Sequence, residues 1–158
     1  MYISKECLSL RKVNINDEDL LFSWANDDDV RKGSFKKKSI SIDDHKTWFK
    51  RKLSDENVLI WILEHNNVPA GMVRLEKGGN RILLNYLIAQ QSRGKKLASK
   101  MLGMAMKELN NHWKNVKVWA YTLPENIASI KSLVNAGFLL ESSSTEKKCY
   151  VFNTEENR

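Results

Sequence analysis

The sequence is poor in the residues that break or cross-link a chain: it has two prolines, seven glycines and two cysteines among 158 residues. We therefore expect no linker and one domain, 1–158, which is long enough to bury an apolar core without disulfide or metal support. Cys7 and Cys149 lack the spacing of a zinc or redox motif. These features predict no metal site and a reducing, cytoplasmic location.

Long apolar runs are also absent. No stretch approaches the roughly 18 apolar residues that cross a bilayer, and residues 1–6 lack the apolar run of a signal peptide. We expect no membrane association.

Acidic residues are outnumbered, with 19 Asp and Glu against 26 Lys and Arg, which gives a formal charge of +7. This imbalance favours anionic partners through long-range attraction. The basic residues cluster in 31–38, 46–52, 95–100 and 147–148, but they form no recognisable nucleic-acid motif. The charge therefore predicts a small anionic ligand rather than nucleic acid.

Apolar periodicity predicts a mixed α+β fold, with a mostly antiparallel sheet of about six to seven strands and about four helices. The predicted strands are 7–13, 58–63, 70–76, 82–88, 116–121, 138–141 and 148–152. The predicted helices start at Asn16, at Ser41, near Lys95 and at Asn126. Two hairpins come first, and a β-α-β crossover then makes the fourth and fifth strands parallel.

The most informative segment joins the strand 82–88 to the next helix and reads Arg93-Gly94-Lys95-Lys96-Leu97-Ala98. A small basic turn at a helix start presents unpaired backbone N–H groups at the positive end of the helix dipole, which is a phosphate site. Neither a dinucleotide G-x-G-x-x-G nor a G-x-x-x-x-G-K-[ST] loop occurs. The turn therefore serves another anion.

Together with the segment 126–138, which runs from Asn126 through Ser129 to Gly137-Phe138, this turn resembles the GCN5-related N-acetyltransferase (GNAT) family. The first strand and Trp24-Ala25-Asn26-Asp27 are similar to the family's opening elements, so the resemblance covers nearly the whole chain. It implies a GNAT fold, acetyl-CoA as acyl donor, and direct attack of an amine on the thioester.

The resemblance also implies where the coenzyme lies: pantetheine along the fourth strand, pyrophosphate on the amides after it, and the helix at 126 beside both. The implied coenzyme residues are Leu87, Ile88, Ala89, Arg93, Gly94, Lys95, Lys96, Leu97, Ala98, Ser99, Asn126, Ser129 and Lys131. Lys96 replaces the motif's middle glycine, so its side chain would crowd the pyrophosphate if the backbone has a positive φ, whereas a helical backbone would tolerate it. Asn126 is equally explained as a plain helix cap.

Two usual catalytic side chains are missing. The positions at which relatives often carry a thiolate-protonating tyrosine and a glutamate base are Leu133 and Leu83. The candidate proton carriers are Tyr86, His45, Glu76 and Tyr121, each of which also has a core or surface explanation. A thiolate, with a pKa near 8.5, leaves with little help, and an acceptor amine with a pKa below lysine's value of about 10.4 is favoured.

The segment 24–49 resembles the GNAT subgroup that acetylates nucleotide-linked amino sugars in surface-polysaccharide or flagellin-sugar biosynthesis. It implies that Arg31, Lys36 and Arg74 face a second pyrophosphate. A solvated basic face is the plain alternative. Acetylation of a protein N-terminus or another small amine, and a non-catalytic acyl-CoA-binding module, remain open. A homodimer is compatible with the resemblance.

Overall fold

A computed structural model describes residues 6–154, which form one seven-stranded sheet. The strands are β1 (Leu8–Lys12), β2 (Val58–His65), β3 (Val68–Gly78), β4 (Arg81–Ile88), β5 (Lys117–Thr122), β6 (Leu139–Ser143) and β7 (Lys148–Asn153), in the spatial order β1-β2-β3-β4-β5-β7-β6. Within these described residues, no helix is both long and apolar enough to cross a membrane.

The helices are α1 (Glu18–Ala25), α2 (Asp28–Lys32), α3 (Ile42–Leu53), α4 (Leu97–Leu109) and α5 (Ile127–Asn135). Helix α2 is not among the predicted helices, because Val30 is its one apolar residue and its five residues show no apolar periodicity. Asp27 explains why it forms, since its side chain accepts hydrogen bonds from the amides of Asp29 and Val30. The predicted cap at Asn16 is wrong: Asn14 caps the short 3-10 turn before α1, and the Asn16 amide donates to it.

All neighbouring strands are antiparallel except β4 and β5, as predicted. The parallel pair is short, because it joins Arg81–Leu83 to Lys117–Trp119 and no further. Beyond Leu83 the two strands diverge. The mixed α+β sheet is confirmed, and the divergence opens a gap at the carboxyl ends of both strands.

Helices cover the two sheet faces unequally. On one face α4 and α5 bury a large core that includes Met101, Leu102 and Leu133. On the other, α1 and α3 pack on Ile62 and Met72 in a second cluster. That cluster stops short of Leu83, which stays 38% exposed. Part of β4 and β5 is therefore open to ligand on this second face.

We predict that Leu133→Ala destabilises the fold by about 2–5 kcal/mol, because Leu133 is 0% exposed within the core beneath α5. Denaturant unfolding measures this, with Val134→Ala, an exposed neighbour on the same helix, as a control expected to change stability by about 0.5 kcal/mol at most. Acetyl transfer per folded molecule should persist in L133A. Unchanged stability with lost turnover would mean that Leu133 faces the reacting groups.

Candidate active site

A cleft of about 660 Å³ occupies the gap between the diverging strands. Its walls come from residues 83–88 of β4, residues 120–122 of β5, the starts of α4 and α5, and the α2 segment from Asp29 to Phe35. Strand ends and helix starts meet here because the crossover places α4 directly after β4. The cleft can therefore offer free strand backbone and helix-start amides to one elongated ligand.

The turn after β4 has the backbone of an anion site. Gly94 has φ +77° and Lys96 has φ +60°, and the 13-residue α4 starts without a side-chain cap. The amides of Gly94, Lys95 and Lys96 donate to no acceptor within the described residues. Unpaired donors curved around a helix start bind phosphate oxygens through backbone geometry.

Lys96 has a left-handed backbone conformation, the one in which its side chain is expected to crowd the pyrophosphate. The helix begins at Leu97, so the predicted start near Lys95 is two residues too early. A non-glycine residue in this conformation costs about 1–2 kcal/mol. The Lys96 side chain is exposed and part of it lines the cleft, so the strained residue places a positive charge at the cleft mouth.

The Arg93 side chain does not face the turn, contrary to the predicted phosphate contact. Its Nε donates to the Ile88 carbonyl oxygen (3.1 Å), its Nη1 to Asp29 (3.0 Å) and its Nη2 to Asp27 (2.8 Å). Arg93 lowers the pKa of the Asp27 carboxyl chiefly through this hydrogen bond. Asp27, which caps α2, and Asp29, which lies in it, hold the guanidinium, and Arg93 thereby ties α2 to the end of β4.

The remaining predicted coenzyme residues divide into two groups. Leu87, Ile88, Leu97, Ala98, Asn126 and Ser129 line the cleft. Ala89, Lys95, Ser99 and Lys131 lie outside its walls, and the Ala89 amide is already bonded to the Ala70 carbonyl (2.8 Å). Asn126 caps α5, because its side chain accepts a hydrogen bond from the Ser129 amide (3.2 Å). It is therefore both a helix cap and part of the cleft wall.

Tyr86 is one of two predicted proton carriers that line the cleft. Its hydroxyl lies 2.7 Å from the Ser129 Oγ. Burial raises the pKa of Tyr86, and hydrogen bonds with Ser129 and Ser132 oppose the rise in part. The phenol is therefore protonated at neutral pH and can donate. Leu133, where relatives often carry tyrosine, is buried behind it in the core.

Two of the predicted proton carriers lie outside the cleft. His45 is 2% exposed between α1 and α3, where its Nε2 lies 3.0 Å from the Glu18 carbonyl oxygen and its ring stacks on Phe49. Glu76 is held by Lys52 and lies near Arg74, outside the cleft. Both residues are polar positions within apolar sequence patterns, and catalytic residues often have the same pattern. In the structure, contacts within the protein account for both residues.

Tyr121, the fourth candidate, lines the cleft and accepts a hydrogen bond from the Arg81 Nη2 (3.2 Å). The guanidinium of Arg81 stacks on Trp119 with 4.0 Å to the ring centroid. Sequence reasoning missed Arg81, Trp119 and the cleft residue Asn85. The available signal was strand alternation, which places Arg81, Leu83 and Asn85 on one face of β4.

Two of the three predicted acceptor residues, Arg31 and Arg74, have partners within the protein. Arg31 is turned inward and donates to the carbonyl oxygens of Lys36 (3.1 Å) and Lys38 (3.3 Å). Arg74 lies over the Trp48 ring, where burial lowers the pKa of its guanidinium. Lys36 is exposed. Arg31 and Arg74 therefore shape the protein more than they present charge to a ligand.

The family model for the acetyltransferase (GNAT) domain matches residues 8–139. The chain belongs to the GNAT family. It is accordingly an acetyl-CoA-dependent N-acetyltransferase, and acetyl-CoA is its acyl donor. No group of three or more potential metal ligands occurs among residues 6–154.

Solved structures share the GNAT fold. A domain from Methanocaldococcus jannaschii DSM 2661 superposes with a TM-score of 0.81 at 25% identity, covering 94% of this chain and 99% of its own. Spermidine N-acetyltransferase from Vibrio cholerae, in complex with CoA and spermine, gives 0.80 at 16% identity, with 94% and 96% covered. Aminoglycoside acetyltransferase AAC(6')-Ib with coenzyme A gives 0.78 at 18%, with 96% and 98% covered. Comparison with curated protein sequences finds no match.

Lys96 provides a test of the turn. We predict that Lys96→Gly raises the free energy of unfolding by on the order of 0.5 kcal/mol, because relief of about 1–2 kcal/mol of left-handed strain exceeds glycine's entropic cost of about 0.5–1 kcal/mol. Coenzyme A should bind about 2–5-fold more weakly at low salt, because one exposed charge is lost. Urea unfolding and calorimetry measure the two effects.

Lys96→Asn is the matched control, since asparagine tolerates the left-handed conformation but carries no charge. It should weaken coenzyme binding as much as Lys96→Gly does, and both losses should shrink near 0.5 M salt, where the Debye length falls to about 4 Å. Tighter coenzyme binding by Lys96→Gly would show instead that the lysine side chain crowds the pyrophosphate.

Proposed function

We propose that this enzyme acetylates the amino group of a nucleotide-linked amino sugar in surface-polysaccharide or flagellin-sugar biosynthesis. The observation that carries the proposal is the way in which charged side chains are paired around the cleft and the open sheet face. Asp29, in the cleft, is paired with Arg93, and Glu76, which lies on β3 opposite Leu83, is paired with Lys52. Arg81 has no carboxylate partner within the described residues. The unpaired charge is positive and favours an anionic acceptor.

The same pairing disfavours polycationic acceptors. Spermidine, spermine and aminoglycosides carry several positive charges and need free carboxylates to bind them. Asp29, which lines the cleft, and Glu76, on the open sheet face, are already paired with Arg93 and Lys52. Neighbours at 16–18% identity share the fold, and their acceptors do not transfer to this chain.

The coenzyme fits the cleft in one direction. The unpaired amides of Gly94, Lys95 and Lys96 hold the pyrophosphate, and pantetheine extends between β4 and β5 as an additional strand would. The acyl group then points toward Tyr86 and the open sheet face. Backbone groups supply most of this binding. The binding therefore tolerates a lysine at position 96, where the family motif has glycine.

The chemistry requires few protein groups. The neutral amine nitrogen attacks the thioester carbon, the C–N bond forms and the C–S bond breaks. Tyr86 donates its O–H proton to the departing sulfur and regains one from solvent, while the amine proton passes to water. Leu83 provides no base, so the acceptor amine must be neutral in an adequate fraction at physiological pH, which amino sugars satisfy better than lysine side chains.

The acceptor class is tested by measuring thiol release from acetyl-CoA with a panel of amines. We expect turnover with a nucleoside-diphosphate-linked amino sugar and little with spermidine, an aminoglycoside or a peptide N-terminus, because the latter three present no anion to Arg81. Efficient turnover of spermidine would overturn the proposal. Thermal stabilisation by acetyl-CoA without turnover of any amine would indicate a binding module instead.

Tyr86→Phe tests the proton donor. We predict a fall in kcat of about 100-fold, at the lower end for general acid catalysis because a thiolate leaves readily, with the affinity for coenzyme A nearly unchanged. Tyr150→Phe, a buried tyrosine in the core, is the matched control and should retain wild-type kcat. An unchanged kcat in Y86F would remove the phenol from the mechanism.

A further inference from the structure

The open part of the second sheet face contains a second cavity, of about 450 Å³. It lies at the β3–β4 hairpin end of the sheet, and Glu76, Arg81, Leu83, Trp119 and Tyr121 are among its lining residues. Leu83 and Tyr121 also line the coenzyme cleft. The two cavities therefore share a wall, and a ligand can pass from one to the other along β4.

The strand register explains why these residues meet. Leu83 pairs with Trp119 in the short parallel segment, and paired residues of neighbouring strands project on the same face. Arg81 lies two residues before Leu83 and projects on that face too. Each side chain comes from a strand rather than a loop, which gives the cavity a rigid floor.

Arg81 is held in place but not neutralised. Its guanidinium lies 4.0 Å from the Trp119 ring centroid, and its Nη2 donates to the Tyr121 hydroxyl (3.2 Å). Of the five N–H donors on an arginine, this arrangement uses one. No carboxylate pairs with Arg81 within residues 6–154, and Glu76, the carboxylate in the cavity wall, is held by Lys52.

A second cation stands beside the first. The Lys147 Nζ lies 4.8 Å from the Tyr121 ring centroid, so Lys147 and Arg81 both contact Tyr121. A guanidinium whose stacking fixes its plane and whose remaining donors are free matches the geometry of a phosphate, to which arginine binds bidentately. Arg81 is exposed to solvent, and its stacking on Trp119 at the cavity wall distinguishes it from an unconstrained surface arginine.

The spacing along β4 defines the shape of the ligand. Asn85 lies at the diverging end, where the acyl group arrives, and Arg81 is four residues away, or about 13 Å at 3.3 Å per residue. An acceptor that reaches both points is elongated, with its amine at one end and its anion at the other. A nucleotide-linked amino sugar has this layout.

We propose that Arg81, oriented by Trp119 and Tyr121, binds a phosphate of the acceptor's nucleoside diphosphate. The inference rests on the proposed function, because it assigns the anionic part of that acceptor to a specific subsite. Lys147 adds long-range attraction at the same place. Arg81 thereby fixes which end of the acceptor approaches the thioester.

The test uses the protein saturated with coenzyme A, so that the turn after β4 is occupied and cannot take the probe. A nucleoside diphosphate is titrated into this complex by calorimetry. We expect binding to the wild type, about 10–100-fold weaker binding to Arg81→Gln because charge-assisted hydrogen bonds are lost, and partial weakening in Arg81→Lys, which keeps the charge but not the fork.

Lys107→Gln, which removes an exposed lysine from α4, is the matched control and should bind the probe as the wild type does. The affinity of R81Q for coenzyme A must equal that of the wild type, which shows that the variant folds. Equal probe affinity in R81Q and the wild type, or no probe binding to the wild-type complex, overturns the subsite.

Kinetics separate this inference from the proposed function. If nucleotide-linked amino sugars are acetylated, R81Q should raise their KM about tenfold or more without a matching rise in the KM for acetyl-CoA. Turnover of such sugars with an unchanged KM in R81Q overturns the subsite alone. Turnover confined to amines without phosphate overturns the proposed function as well.

Discussion

The divergence of β4 and β5 after three paired residues is the constraint on which the rest of the site depends. Two parallel strands that stayed paired would use their backbone groups on each other and leave no cleft. Because they separate beyond Leu83, the end of β4 has free backbone on one side, and α4 begins at the mouth of the same gap. The candidate donor site therefore offers mainly main-chain groups, and the lysine at position 96 leaves those groups unpaired within residues 6–154.

Arg93 shows how the fold reuses a residue that the family motif suggests for ligand binding. Its guanidinium contacts Ile88 in β4 and both Asp27 and Asp29 at α2. Helix α2 has five residues and no buried side chain, so propensity and packing hold it weakly. The Asp27 cap and the Arg93 contacts supply the missing stability and set one wall of the cleft.

Much of the fold could be predicted from the sequence, since β3, β4 and α4 have clear apolar periods and Gly137 ends α5 with φ +99°. Helix α2 could not, because its stability comes from contacts 64 and 66 residues away in the chain. The backbone turn of the candidate site followed from motif and position. The positions of the side chains did not follow from the sequence. His45 and Arg74 are polar residues packed against aromatic rings, and the sequence pattern of such packed residues is the same as that of catalytic residues.

The Arg93 bridge holds α2 in the wall of the cleft. Helix α2 and residues 33–35 border this cleft, so a donor or an acceptor that contacts them also orders α2. If the first ligand to bind orders α2, the second ligand binds without that free-energy cost. The coupling free energy is the same whichever ligand binds first. A short helix held by one guanidinium can therefore make two ligands bind cooperatively.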